Sequence, residues 1–287
     1  MLELSFFEIS KICSMRKEGH SYKEISKGVG LSVGSCYKYS NGVKMSSAGK
    51  RRLDAKLLSE RKKKRRGIKI PAKLTKPLAR ILGHCFFDGG VGIDGVNYAN
   101  VSEKSIQEFK RDMKRVFGLN PSNELDVKSV HIVKRLFYNN RNLADFLFKI
   151  SPSYSTSSKA ASIPKIIFNS ANLIICEFLS AFWDDEGCVK SDGSICGKTK
   201  SDLISRQLMM LHKKLGIATT RWDDSTNDAY DVYLRVDAEN INKFSRMIGF
   251  KNSVVCRGKY TGLRKSDVLY IKHGNKISVG APVAQFG

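Results

Sequence analysis

Residues 176–193 read CEFLSAFWDDEGCVKSDG, and residues 78–95 read LARILGHCFFDGGVGIDG, so one pattern occurs twice in the chain. In each copy, an apolar run of helical character ends in an acid that is followed by glycine. The two acids, Asp88 and Glu186, are 98 residues apart. If the two apolar helices pack side by side, the carboxylates at their ends lie close together.

The 98-residue spacing continues beyond these segments, which indicates a tandem duplication of one folding unit. Gly118 follows one apolar helical pattern, and Gly216 follows the other. A run of such pairs is not expected by chance. The further pairs at this spacing are Asp94/Asp192, Gly95/Gly193, Ile106/Ile204, Met113/Leu211, Phe117/Leu215, Leu136/Leu234, Asn142/Asn240, Leu143/Ile241, Phe146/Phe244 and Ile150/Ile248.

Each copy predicts the element order α-β-β-α-β-β-α. In both hairpins we expect a type I′ turn with Asp at its first central position. The predicted elements are a helix from Thr75 or Pro77 to about Asp88, a hairpin turning at Asp94-Gly95, a helix over Ile106–Phe117, strands within 124–138 and a helix at 141–149; the second copy gives helix 169–186, a hairpin turning at Asp192-Gly193, helix 201–215, strands within 217–236 and helix 238–248.

Small residues indicate that the first helices of the two copies pack together. Ala79 and Gly83 lie in one, and Ser180 and Ala181 lie in the other. A carboxylate at a helix C-terminus is disfavoured by the helix dipole by a few tenths to ~1 kcal/mol. Two such carboxylates side by side also repel each other. A divalent cation removes both problems, and oxygen ligands suit Mg²⁺.

These segments resemble the paired motifs of LAGLIDADG homing endonucleases in their monomeric, two-repeat form. The stretch 179–187, LSAFWDDEG, fits the nine-residue motif throughout, and the first copy fits it through Leu82-Gly83 and Asp88-Gly89. The motif often has another acid two places before the last one. Asp184 keeps that acid and Phe86 does not. The resemblance covers roughly residues 70–260.

The resemblance implies a site-specific endonuclease that cuts both strands of DNA at an asymmetric site, leaves short 3′ overhangs and takes part in intron or intein mobility. In the family, the last acid of each motif binds the metal, which implies Mg²⁺, with Mn²⁺ as a substitute, activating water for phosphodiester hydrolysis. We assign the metal site to Asp88, Gly89, Glu186 and Gly187. The family also has a basic residue near each site, just before an Ile-Pro. The candidates are Lys159, which precedes Ile163-Pro164, Arg257 at the 98-residue spacing from Lys159, and the nearby Lys259.

The charge balance predicts a nucleic-acid partner. Lys and Arg number 50 against 27 Asp and Glu, which gives +23 and a pI of about 9.8. Charge alone does not separate DNA from RNA or from an anionic membrane. Alternate strand residues share one sheet face, which can enter a major groove. The candidate DNA contacts on the strands are Asn97, Asn100, Lys128, His131, Lys134 and Arg135 in the first copy, and Lys190, Ser194, Lys198, Arg221, Tyr230, Tyr233 and Arg235 in the second.

Residues 18–42 resemble a helix-turn-helix, in which Gly30 makes the turn and Ser32 caps the second helix. An upstream helix with Phe6, Ile9, Ile12 and Met15 completes a three-helix core. A small helical packing module is the alternative. Tyr22 and Ile25 mark the first helix of the motif; in the second, Val33, Cys36 and Tyr37 are assigned to the inner face, and Ser35, Lys38 and Tyr39 to DNA.

A basic linker follows, which we expect to track phosphates. Its central part has a helical pattern through Leu53, Leu57 and Leu58, and a merely solvated linker is the alternative. The candidate phosphate contacts are Arg61, Lys62, Lys63, Lys64, Arg65 and Arg66. The predicted divisions are therefore a helix-turn-helix module (1–45), a basic linker (46–69), two repeats (70–165 and 166–261) and a tail without assigned function (262–287).

The remaining patterns concern location and supporting residues. Seven cysteines without a CxxC pair indicate reduced thiols in an intracellular protein. No apolar stretch approaches 18 residues and no signal-peptide pattern is present, so we expect no membrane partner. His84 and Cys85 are interpreted as packing residues, and Asp185 as a solvated residue or one that supports the metal ligands. The tail contains only a short strand-like VLYI.

Two other functions are compatible with these patterns. One is a maturase that binds intron RNA and assists splicing, and the other is a transcriptional regulator that binds DNA without cutting it. The two motif acids favour the endonuclease, since a pure binding protein has no need for two repelling carboxylates. The expected fold class is α+β: two pseudo-symmetric α-β-β-α-β-β-α units and a small all-α module.

Overall fold

The computed structural model describes residues 4–64, 67–128, 131–156 and 159–277. The chain forms two compact units, Met1–Arg66 and Gly67–Gly287. The helices of the first unit are α1 (Phe6–Lys17), α2 (Tyr22–Val29), α3 (Val33–Ser40) and α4 (Ser47–Lys64).

Local sequence signals explain where the first helices begin and end. Ser5 with Glu8 and Ser21 with Glu24 form capping boxes, which satisfy free N–H groups at the starts of α1 and α2. Gly30, at φ 72°, ends α2 in the left-handed conformation that glycine adopts without strain. The predicted three-helix core is present: Ile12, Ile25 and Cys36 are fully buried.

Two faces of this module differ from the prediction. Phe6 is 88% exposed and lies outside the core. In α3, Val33 and Tyr37 are exposed, whereas Tyr39 packs against the buried cluster. The outer face of α3 therefore carries Val33 and Tyr37, and Tyr39 belongs to the inside. The prediction assigned Val33 and Tyr37 to the inner face and Tyr39 to the outer face. An eight-residue helix has too few apolar positions to identify its inner face from the sequence.

The predicted basic linker is largely helix α4, which packs on the preceding helices. Gly49 approaches the turn between α1 and α2 so closely that a Cβ on it would lie 2.2 Å from the carbonyl oxygen of Lys17. Lys56 forms an ion pair with Glu24 at 2.7 Å, which lowers the pKa of Glu24 to about 2. Of the predicted phosphate contacts, Arg61–Lys64 belong to the backbone of α4, and Arg65 and Arg66 lie outside the described residues.

The second unit contains the two repeats in the predicted order. The first repeat has α5 (Lys76–Phe87), β1 (Gly90–Gly92), β2 (Gly95–Asn100), α6 (Glu103–Phe117), β3 (Asn123–Lys128), β4 (Ile132–Tyr138) and α7 (Arg141–Ile150). A 3-10 turn (Pro152–Ser155) and the short helix α8 (Lys165–Phe168) connect it to the second repeat. That repeat has α9 (Asn172–Glu186), β5 (Gly187–Val189), β6 (Ile195–Thr199), α10 (Asp202–Lys214), β7 (Thr219–Asp224), β8 (Ala229–Leu234) and α11 (Ala238–Met247), followed by α12 (Lys265–His273).

Each repeat forms a four-stranded antiparallel sheet, with strand orders β1-β2-β4-β3 and β5-β6-β8-β7. The uniform 98-residue register is wrong in the strands. Val96 pairs with Tyr138 in the first sheet, and Ile195 pairs with Leu234 in the second. Equivalent positions are therefore 99 residues apart in the second strand of each repeat and 96 apart in the fourth, because the connecting loops differ in length.

The hairpin turns also differ from the prediction. Gly92 pairs with Gly95, so the central turn residues are Ile93 and Asp94. In the second repeat, the N–H of Gly193 donates to the carbonyl of Lys190, which places Asp192 second in its turn as well. Neither Asp has positive φ, so the turns are not type I′. The glycines that follow these Asp residues, Gly95 and Gly193, have φ values of 147° and 90°. Residues with a side chain rarely adopt such positive φ values.

The tail segment VLYI, which has a strand-like sequence pattern, is helical and lies within α12. Val268 and Leu269 are buried in the core of the larger unit, and His273 lies 2.7 Å from the carbonyl oxygen of Gly193. Residues 265–276 therefore pack against the second repeat. Within the described ranges, no helix combines the length and the apolar character needed to span a membrane.

Candidate metal centre and nucleic-acid interface

Helices α5 and α9 pack against each other and form the seam between the repeats. At their closest approach, a Cβ on Gly83 would lie 2.6 Å from the Cβ of Ala181 and 3.0 Å from the carbonyl oxygen of Phe178. Ala79 and Ser180 are buried along the same seam. The small residues therefore allow the close packing that the sequence predicts.

The two motif acids lie at one end of this seam. Asp88 is the C-cap of α5, and Glu186 is the last residue of α9. Burial, together with the charge of Asp185, raises the pKa of Asp88 to about 7. Burial, together with the charges of Asp88 and Asp185, raises the pKa of Glu186 to about 8. We call Asp88 and Glu186 the acid pair: each is held in a site that disfavours its negative charge.

A third carboxylate lies beside the acid pair. Asp185 is fully buried, and its Oδ2 lies 2.8 Å from Nδ1 of His84, while the hydroxyl of Tyr98 donates to its Oδ1 at 3.3 Å. Burial lowers the pKa of His84, but the charge and hydrogen bond of Asp185 raise it overall. The expectation of a solvated Asp185 is wrong, and His84 is its counter-charge as well as a packing residue.

Asp184, the acid two places before Glu186, has a structural partner. Its carboxylate accepts hydrogen bonds from the backbone N–H groups of Lys251 and Asn252 and from the hydroxyl of Ser253. It therefore holds the segment that follows α11 against the seam. Phe86 stands at the corresponding position of the first repeat and packs against Phe178 and Tyr154 instead.

A lysine from the tail acts on both members of the acid pair. Lys265 is buried, its Nζ donates to the carbonyl of Asp184 at 2.6 Å, and its charge lowers the pKa of both Asp88 and Glu186. Lys265 is the first residue of α12, and no local sequence signal connects it with motifs about 80 residues earlier. Only the packing of α12 brings it to the site.

The roles of the three basic residues that the family resemblance implies stay predictions. Lys159 is exposed and forms an ion pair with Asp228 in the turn between β7 and β8. Arg257 and Lys259 are exposed in the segment between α11 and α12.

The donor set fits a hard divalent cation that shares its ligands with a substrate. In the described part of the chain, no group of three or more His, Cys, Asp and Glu side chains is arranged to hold a metal. Mg²⁺ is commonly bound by one or two carboxylates together with waters and substrate phosphates. Asp88 and Glu186 fit that arrangement, since a cation between them would offset the burial of both charges. The assignments of Gly89 and Gly187 stay predictions.

A cleft of about 820 Å³ opens beside Glu186 between the two repeats. Gly89 and Tyr154 line it from the first repeat, and Lys198 and Lys200 line it from the second. A carboxylate and two ammonium groups on one wall suit an anionic substrate that reaches a metal through its phosphates.

Each sheet has one face that packs on the helices and one face that is open. We define the open face as the one whose side chains point away from α6 in the first repeat and away from α10 in the second. Leu136 and Tyr138 are buried on the helix side, and the alternate residues Asn100 and Lys134 lie half-buried on the same side, where they contact Tyr98 and Glu103. The open face of the first sheet carries Asn97, Ala99, Asn123, Leu125, Val127, Val133, Arg135 and Phe137.

The second sheet divides its residues in the same way. Arg221 faces α10, where it forms an ion pair with Asp202 at 2.7 Å and stacks on Tyr230. Lys198 lies on the open face with Asp224 and Asp231 as ion-pair partners. The open face of the second sheet carries Cys188, Cys196, Lys198, Thr220, Trp222, Asp224, Asp231 and Tyr233.

Asn100, Lys134, Arg221 and Tyr230 therefore do not share the open faces with the other selected strand residues, and contact of any of them with DNA stays a prediction. Alternation could not identify the inner face, because polar residues near strand ends stand on both faces. Others lie at strand ends: Lys128 ends β3, His131 lies beside the carbonyl of Cys256, Lys190 donates to Tyr233, Ser194 bonds to Asp192, and Arg235 pairs with Asp237.

The positive charge is concentrated in the first unit. Residues 1–66 contain 17 Lys and Arg against 6 Asp and Glu, a net charge of +11, and this is nearly half of the total in less than a quarter of the chain. Ser35 and Lys38 lie on α3 of that unit, where Lys38 is exposed and Ser35 is half-buried beside its cap, Ser32. Their contact with DNA stays a prediction.

Comparison with known proteins shows a similarity in the second repeat. Residues 174–249 match the model of the LAGLIDADG-like domain. Among solved structures, I-DmoI in complex with DNA and Mn is 18% identical and has a TM-score of 0.48, covering 63% of this chain and 99% of that one. The N-terminal LAGLIDADG domain of DUF199/WhiA is 13% identical with a TM-score of 0.45, covering 63% and 87%.

Full-length DUF199/WhiA from Thermatoga maritima is 12% identical with a TM-score of 0.46, covering 74% of this chain and 64% of that one. At such TM-scores, these likenesses say nothing of what this chain binds or cuts. The match over 174–249 contains most of the seam helix α9, both hairpins of the second sheet and Glu186. The second repeat is therefore similar to the LAGLIDADG-like domain, and residues 76–150 have the same order of helices and strands.

Proposed function

We propose that this protein is a metal-dependent DNA endonuclease that cuts both strands at one site, with the acid pair as its metal ligands. The observation that supports this most directly is the acid pair itself. Two helices, one from each repeat, end in carboxylates whose pKa values are raised by burial and by the charge of Asp185, and the charge of Asp88 raises that of Glu186 further. Such an arrangement costs stability unless a cation occupies it.

A divalent cation held by Asp88 and Glu186 supplies activation of water and stabilisation of the leaving oxygen in phosphodiester hydrolysis. The protein's own residues do the rest. Asp185, fixed by His84 and Tyr98, keeps negative charge beside the ligands. The charge of Lys265 partly offsets the negative charge and lowers the pKa of both ligands. The cleft beside Glu186, with Lys198 and Lys200, admits the phosphate backbone.

DNA binding by the first unit supports the same function. Its net charge of +11 provides a sequence-independent attraction to phosphates. The exposed face of α3 presents Val33, Tyr37 and Lys38 in the manner of a recognition helix. The open sheet faces are poorer in cations, so we assign them base and methyl contacts through Asn97, Arg135, Lys198 and Tyr233.

The test is a cleavage screen of the full chain against a randomised duplex library with Mg²⁺ or Mn²⁺. Asp88→Asn and Glu186→Gln should each lower cleavage by at least ~10²-fold and leave DNA affinity within a few fold, because each removes a metal ligand and no fold contact. Asp126→Asn, an exposed acid on β3, is the matched control. Cleavage at the unmodified rate by either seam variant rules out the two-acid mechanism.

A DNA-binding protein that does not cut is the second candidate. The specific observation in its favour is the open face of the first sheet, where, among the residues that the structure describes, Arg135 is the one cation beside the apolar side chains Leu125, Val127, Val133 and Phe137. Metal binding distinguishes the endonuclease from the DNA-binding protein that does not cut. Mn²⁺ titration of the full chain gives one Glu186-dependent site for an endonuclease and none for a binding protein, and an RNA duplex in the same screen tests intron RNA as the partner.

A further inference from the structure

Two cysteines face each other on the open face of the second sheet. Cys188 of β5 and Cys196 of β6 are directly paired across the antiparallel strands, and their Sγ atoms are 3.4 Å apart. Both are free thiols; Cys188 is exposed and Cys196 is buried. Neither belongs to the acid pair or to its hydrogen-bond partners.

The backbone at this pair permits a disulfide. Residues directly opposite each other in an antiparallel sheet have Cα atoms ~4.5 Å or ~5.5 Å apart, according to the type of pair. Both separations lie within the ~4.4–6.8 Å that disulfides span. The side chains already point at each other, so the bond requires the sulfurs to approach and no change of strand pairing.

We propose that Cys188 and Cys196 are a modification site, a dithiol that a low-molecular-weight disulfide converts into a cross-strand disulfide. The exposed Cys188 thiolate attacks one sulfur of the small disulfide, forms a mixed disulfide and releases one small thiol. Cys196 then attacks the Cys188 sulfur and releases the second. The protein loses two electrons and two protons, and the small disulfide gains both as two thiols.

The bond also acts on the acid pair, an effect that rests on the proposed function. Cys188 is two residues after Glu186, and the intervening Gly187 has no spare room: a Cβ there would lie 2.5 Å from the carbonyl oxygen of Trp183. The S–S bond is ~2.05 Å long, so the Sγ atoms must close by more than 1 Å. We expect part of that movement to reach Glu186 through the tightly packed backbone of Gly187, and a displacement of ~1 Å at a reacting group can cost ~10²-fold in rate.

Peptide mapping tests the site without any assumption about function. The full-length protein is incubated with oxidised glutathione under native conditions, alkylated and digested with trypsin. Peptides 166–190 and 191–198 contain Cys188 and Cys196. They should appear as one linked species that is two hydrogens lighter than their sum and separates on reduction. Fragment spectra must place the bond on Cys188, because Cys176 lies in the same peptide.

Glutathione that remains on Cys188, or the absence of a linked peptide, overturns the proposal. Cys256→Ser, which removes another exposed thiol, should leave the link unchanged. Cys196→Ser should instead trap the mixed disulfide on Cys188, which tests the order of attack.

The effect on the acid pair is measured by Mn²⁺ titration and by cleavage, before and after oxidation. Oxidation should weaken Mn²⁺ binding or cleavage by tenfold or more, a reductant should restore it, and Cys188→Ser, which lacks the attacking thiol, should not respond. A disulfide that forms and changes Mn²⁺ affinity less than twofold overturns the coupling. If the reduced protein binds Mn²⁺ and cuts no DNA, the proposed function fails. The Mn²⁺ affinities before and after oxidation then still show whether the disulfide affects the acid pair.

Discussion

At the scale of single residues, the seam concentrates buried charge. Asp88, Asp185 and Glu186 lie together, and His84 and Lys265 are the cations that act on them. A pKa raised on folding means that the folded chain holds protons that the unfolded chain has lost. Stability from this source is therefore complete below pH ~4 and is lost as pH rises through the folded pKa values, about 7 and 8.

The metal-free protein should thus lose stability between pH 5 and pH 8, and Glu186→Gln should recover on the order of 1–3 kcal/mol at pH 8, since one pKa unit corresponds to ~1.4 kcal/mol. Lys265→Met should deepen the loss and extend it to higher pH, because it removes a charge that lowers both pKa values. Urea denaturation across this range measures both effects. Lys272→Met is the control, because Lys272 is a half-buried lysine on the same helix that is not among the causes of the two pKa shifts. Equal behaviour of the two lysine variants contradicts the role given to Lys265.

At the scale of elements, the close approach of α5 and α9 depends on glycine in one and alanine in the other. A side chain at position 83 cannot be placed without separating the helices, since its Cβ would meet the Ala181 Cβ and the Phe178 backbone. The acid pair lies one to two turns farther along the same helices. Helix separation at Gly83 must therefore also change the distance between Asp88 and Glu186.

Gly83→Ala should cost roughly 1–3 kcal/mol of unfolding free energy through overpacking, although alanine is the better helix former. It should also weaken Mn²⁺ binding. Calorimetric unfolding and metal titration measure the two effects. Gly92→Ala is the matched control in the same repeat, because a Cβ at position 92 meets nothing within 4 Å. A Gly83→Ala protein as stable as the control would show that the seam tolerates wider packing.

At the scale of the whole molecule, charge and proposed chemistry are separated along the chain. Residues 1–66 carry +11 of the +23, while residues 67–287 contain the acid pair. Phosphate contacts set the salt dependence of DNA binding, with a slope near −0.9 per contact in a log–log plot. The first unit should therefore dominate nonspecific affinity, and the repeats should determine where the cut falls.

Removal of residues 1–66 should weaken DNA binding by at least ~10-fold at moderate salt and reduce the salt slope by several units. The cut position should not change, because the acid pair stays intact. Fluorescence anisotropy over a salt series and mapping of the cut ends provide the measurements. A shifted cut would mean that the helix-turn-helix sets the register, and an unchanged slope would place the phosphate contacts in the repeats.

The sequence by itself determined the order of elements in both repeats, the two motif acids and the glycines that end helices, because periodicity, caps and turn residues act within a few positions of the chain. Tertiary packing decided the contacts between segments that are distant in the chain, such as Lys265 with the acid pair and Asp185 with His84. It also decided that Lys134 and Arg221 lie on the helix side of their sheets. Local patterns cannot contain these facts, since burial and charge pairing depend on which segments meet after the chain has folded.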